Sequence, residues 1–107
     1  MEIVPSATGR GFALLEFSDF YGARCNVQLS SLVEPKAIWL GVEDAEPKIM
    51  ASQAAAFGVV TKETNGWVPY PIPEQVLLTT RMHLSREQVA ALLPVLQRFA
   101  ATGEVRI

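Results

Sequence analysis

The chain has 107 residues, half of them hydrophobic, with nine basic against eleven acidic side chains and a formal net charge of -2. That is enough apolar material for one domain over residues 1–107, with a core that needs neither disulfides nor metal, and the basic residues stand singly from Arg10 to Arg106, which excludes the cationic footprint of a nucleic-acid binder. One cysteine, Cys25, excludes a disulfide framework; with no cationic leader and no apolar run of about 20 residues, the expected compartment is the cytoplasm and no membrane partner is expected.

Residues 2–4 read as a short strand and 5–11 as a small-residue loop. The Gly-rich stretch 8–11 lacks the lysine and the spacing of a phosphate loop and carries no chemistry. Residues 12–18 read as a strand, and 19–22 (DFYG) as a type I turn with Asp first and Gly fourth. Residues 24–29 then alternate, with Cys25, Val27 and Leu29 inward and Arg24, Asn26 and Gln28 outward, completing a β-hairpin. On the inner face a thiol is a small inert hydrophobe.

Residues 37–42 (AIWLGV) predict a third strand, with Ile38, Leu40 and Val42 on one side and Trp39, Gly41 and Glu43 on the other. The acidic group Glu43, Asp44 and Glu46 is a solvated turn. Residues 49–57 (IMASQAAAF) predict a short helix with Ser52 as its cap, ended by Gly58. Asn65-Gly66 between 59–63 and 67–70 predicts a second hairpin through a type I′ turn. Pro69, Pro71 and Pro73 make the next stretch a stiff connector at or beyond a sheet edge.

Residues 76–84 read as a strand, with Leu78, Met82 and Leu84 on one face and Leu77, Thr79, Arg81 and His83 on the other. It leads straight into a helix that begins at Arg86, because Ser85 and Gln88 have the spacing of a capping box. Val89, Leu92, Leu93, Leu96 and Phe99 form one apolar stripe, so the helix is expected as a cover packed on one face of the sheet. Pro94 interrupts the hydrogen-bond ladder without changing the phase of the stripe, which predicts one kinked helix ending near Ala101 or Thr102, before Gly103.

Catalytic motifs are absent, and the expectation is a protein that is not an enzyme, without cofactor or metal site. The one conceivable nucleophile pairing is Cys25 with His83, together with a carboxylate such as Asp19. Arg81 and His83, just before a helix N-terminus, are candidates for binding an anion or, weakly, nucleic acid. Trp39, Trp67 and Tyr70, with prolines nearby, are candidates for an exposed patch at a protein interface.

Three blocks, 16–32 (EFSDFYGARCNVQLSSL), 37–50 (AIWLGVEDAEPKIM) and 79–105 (TTRMHLSREQVAALLPVLQRFAATGEV), resemble a family of small proteins encoded by bacteriophages and prophages. The last block is the most specific. No catalytic or binding residue carries over from that family. The resemblance implies an accessory protein, working in the cytoplasm of a bacterial host, that binds a host or phage protein. Together these readings predict an α+β fold: a largely antiparallel sheet of about five strands with a C-terminal amphipathic helix packed on one face, able to form a homo-oligomer.

Overall fold

A computed structural model describes residues 1–107. In chain order the elements are β1 (Val4–Ala7), β2 (Ala13–Ser18), β3 (Arg24–Leu29), β4 (Ala37–Val42), β5 (Lys48–Met50), α1 (Ala51–Ala54) with a 3-10 turn (Ala55–Phe57), β6 (Trp67–Pro69), β7 (Arg81–Ser85) and α2 (Arg86–Thr102). The chain forms two compact units, Met1–Glu43 with Thr80–Ile107, and Asp44–Thr79. The second is inserted in the connection from β4 to β7.

The first unit is a five-stranded antiparallel sheet in the order β1-β2-β3-β4-β7, followed by α2, which gives the expected α+β class. Strands β3 and β4 have the bounds that their alternation predicts. Strand β1 lies later than expected and contains Pro5. It is an edge strand, where a residue with no N–H to give is tolerated. The β2–β3 turn is built on Asp19, whose Oδ1 accepts from the N–H groups of Tyr21 and Ala23, both at 2.9 Å, while Gly22 takes the left-handed conformation at φ 85°. Strand β7 is shorter than the predicted strand, because residues 76–80 do not pair.

At the junction of β7 and α2 the capping box is complete. Ser85 Oγ accepts from Gln88 N–H at 3.2 Å, and Gln88 Oε1 accepts from Ser85 N–H at 2.9 Å. The helix runs unbroken through Pro94 and stops where Gly103 turns left-handed, its N–H donating to the Phe99 carbonyl. The helix adjoins the sheet at its start but does not bury its stripe there. No residue of α2 is buried, and its stripe is open, with Leu93 46%, Leu96 57% and Phe99 54% exposed. The helix starts where the edge strand β7 ends, and of its stripe Val89 and Leu93 line an apolar slot together with Leu29, Ile38 and Leu84 of the sheet.

In the second unit β5 and β6 pair antiparallel, with Ile49 opposite Val68. The expected hairpin of 59–63 with 67–70 does not form, and Asn65-Gly66 joins no paired strands. Residues 67–69 pair with 48–50 instead, tied by Ala51 N–H to the Gly66 carbonyl and Tyr70 N–H to the Pro47 carbonyl, both at 2.8 Å. The short helix begins after Met50, with no side-chain cap from Ser52, and ends on left-handed Gly58. Its core is small: Ala51, Ala54 and Val68, with Ile49 and Val59 against them.

Gly41 decides the closeness of β4 and β7. A Cβ there would lie 2.5 Å from the Thr80 carbonyl oxygen and 2.8 Å from Arg81 Cα, on a backbone with φ 154°. Both contacts are with main chain, which cannot swing aside. Gly41→Ala is therefore expected to destabilise the sheet by about 3 kcal/mol, read as a lowered midpoint in urea denaturation; an unchanged midpoint would show that β7 can shift without loss.

Candidate functional site

Alternation along a strand gives each side of the sheet its own chemistry, and the register lines the side chains up in rows across it. On the polar side Gln28, Trp39 and His83 form one row and Asn26, Gly41 and Arg81 the next. His83 stacks on Trp39 with ring centroids 3.9 Å apart and planes 7° from parallel. Its Nε2 shares a 3.0 Å hydrogen bond with Ser30 Oγ. Arg81 lies over the bare backbone of Gly41, so that Nη1 donates to Asn26 Oδ1 at 3.1 Å and to Gln28 Oε1 at 2.7 Å. The guanidinium carbon is 5.5 Å from the centre of the Trp39 ring.

Of the predicted residues, this cluster brings together Trp39, Arg81 and His83, all in the first unit. Asn26 and Ser30, which complete it, are buried. Asn26 has the outward phase of β3, which in a sequence is indistinguishable from a solvent-facing position, and Ser30 lies just past the end of the strand, where no alternation applies. The signal was there in Asn26 and Gln28 sharing a face with Trp39. Arg81 has two neutral amide partners and no carboxylate, so it retains an uncompensated positive charge beside an aromatic stack. That combination suits an anionic or π-electron partner group.

The anion site expected at the helix start is not assembled. Arg81 and the Ser85 cap are at opposite ends of β7, about 13 Å apart along the strand, and Arg81 reaches across β4 toward β3. The serine oxygen is taken by Gln88.

The proposed Cys25–His83 pairing does not form either. Cys25 is in the row Phe17–Cys25–Val42 on the apolar side, whereas His83 projects from the polar side. Cys25 is 5% exposed, and its Sγ donates to the Ala23 carbonyl at 3.5 Å. Burial pushes its thiol pKa up, with the nearby carboxylates of Asp19 and Glu43 acting in the same direction. Asp19 itself is occupied in its turn.

Trp67 and Tyr70 belong to the second unit. Alternation in β6 buries Val68 and leaves Trp67 66% exposed, while Tyr70 is half-buried. No group of three or more His, Cys, Asp or Glu side chains is placed to hold a metal ion. No buried side-chain nitrogen or oxygen lacks a hydrogen-bond partner. No helix is long and apolar enough to cross a membrane. No protein-family model, curated protein or solved structure matches the chain.

Two measurements probe this geometry. Arg81→Ala leaves the buried Asn26 amide without its donor and is expected to destabilise the protein by about 1–3 kcal/mol in denaturant titration. An effect within error would mean that solvent replaces the guanidinium. The Cys25 thiol should react with an aromatic disulfide reagent far more slowly in the native protein at pH 8 than after unfolding, since only the thiolate attacks. Equal rates would place Cys25 in contact with solvent.

Proposed function

We propose that this chain is a protein-binding module without catalytic activity, serving a phage or prophage as an accessory protein directed at a host or defence component. The phage assignment is supported by the resemblance of the three sequence blocks. The binding role is supported by one observation: the apolar side chains are not used up by the fold. No Leu, Ile, Phe, Met or Trp is buried. The chain exposes 8808 Å², whereas a compact folded chain of 11.7 kDa exposes about 5,900 Å². Even counted as two separate compact bodies the same relation gives about 7,000 Å². Spare surface on this scale, with Leu, Phe and Trp side chains exposed on it, supports contact with other macromolecules.

In the second unit Trp67, Phe57 (62% exposed) and Val60 (100%) have the large flat or branched surfaces that anchor protein interfaces. Trp67 is the strongest candidate, since tryptophan combines a large apolar area with an indole N–H donor.

Affinity capture of the tagged protein from a bacterial host, followed by mass spectrometry, tests this reading. A single stoichiometric host protein is expected, and Trp67→Ala should reduce its retention roughly 30-fold. Retention unaffected by Trp67→Ala would remove this side chain from the interface, and a capture that retains nothing would count against a host target.

A further inference from the structure

The apolar side of the five-stranded sheet has no second layer within its own unit. Pro5, Leu15, Val27, Leu40 and Met82 stand opposite one another in a single row across all five strands. Its flanks are open, with Leu15 42% and Met82 54% exposed. A sheet with one apolar face is stable when that face is buried against a helix layer or another sheet. The unit possesses such a helix, α2, but its stripe of Leu92, Leu93, Leu96 and Phe99 is equally uncovered. Where the helix departs from the sheet it leaves an apolar slot of about 380 Å³ walled by Leu29, Ile38, Leu84, Val89 and Leu93. Sheet face and helix stripe are thus one continuous apolar surface through Leu84 and Val89.

We propose that a second copy of this chain occupies that surface, the α2 helix of each copy supplying the layer that the sheet of the other lacks. This rests on the reading of the chain as a protein-binding module and names the partner of one of its surfaces.

Three observations favour a second copy over an unrelated protein. The two uncovered surfaces complement each other in kind, a sheet face and an amphipathic helix. A two-fold rotation satisfies both in both copies at once, as isologous interfaces do. Their dimensions also match: the 17 residues of α2 extend about 25 Å, and the four spacings across the sheet amount to about 19 Å.

Finally, the area agrees. The surplus of the whole chain over two compact bodies, about 1,800 Å², means that two copies together hold about 3,600 Å² of spare surface, enough to supply the 2,000–5,000 Å² or so that obligate homodimers bury. A net charge of -2 opposes self-association only weakly.

Sedimentation equilibrium of the purified full chain over a wide concentration range tests the proposal. The expected result is a discrete dimer. Leu96→Glu on the helix and Met82→Glu on the sheet should each raise its dissociation constant roughly 30-fold or more, while Leu96→Met leaves it near the starting value. Both positions are more than half exposed in one copy, so circular dichroism should show the same strand and helix content in each variant.

A monomer at every concentration overturns the proposal, as does a dimer that neither substitution weakens. Dimerisation and host capture fail independently. A monomer that still retains a host protein through Trp67 removes the second copy and keeps the binding module, whereas a dimer with an empty capture removes the host target and keeps the second copy.

Discussion

Strand β4 pairs with both β3 and β7, and the register of those two ladders decides what every side chain of the first unit can touch. A shift of one residue would exchange the faces. In the observed register the apolar rows through Val27 and Leu40 share one side, and Trp39, Arg81 and His83 share the other with Asn26 and Gln28. Gly41 makes the register workable, because its missing side chain leaves room for the β7 main chain and for the Arg81 stem that crosses it. The same arrangement separates Cys25 from His83 by the thickness of the sheet, so the feature that builds the polar cluster dismantles the nucleophile pairing.

The polar cluster is largely self-satisfied. Its histidine is stacked and hydrogen-bonded, and its arginine holds two amides. A cluster of this kind fixes strand pairing by requiring that particular donors and acceptors meet, since leaving one unmatched costs about 1–3 kcal/mol when the group is buried. The surface pairs of Arg24 with Glu16 and Glu43 do less, because Arg24 is mostly exposed and solvent screens the attraction.

The C-terminal helix raises the opposite question, namely what holds it in shape. Most helical stability in proteins comes from packing an amphipathic face rather than from propensity, and an interior proline removes about 3 kcal/mol. The Ser85–Gln88 box offsets roughly 1 kcal/mol of that, and Pro94 leaves the carbonyl of Ala90, itself exposed, to accept from water. The remainder must come from burying the stripe, where a fully covered leucine contributes about 1.5–3 kcal/mol. Helix and sheet thus lack the same thing, a covering layer, and a neighbouring chain can supply it to both.

Local rules carried far in this chain where the signal was local. Period-two alternation set the bounds of β3 and β4 and assigned Cys25 to the apolar side. The serine–glutamine spacing set the start of α2, and Gly103 its end. Those features depend on residues a few positions apart. The failures share a different cause. Asn65-Gly66 signals a turn, yet which strands flank it depends on competition, and 48–50 displaced 59–63 as the partner of 67–69. The partners of Arg81 lie more than fifty positions away, which no spacing rule reaches. An apolar stripe reads the same whether its cover is the chain's own sheet or another copy's. The sequence by itself therefore determined the faces of the strands and the ends of the helix, because backbone periodicity and capping chemistry are short-range. Only the tertiary structure decided strand partners, the assembly of Trp39, Arg81 and His83, and the exposure of the helix, because each is a choice between distant segments competing for the same hydrogen bonds or the same apolar surface.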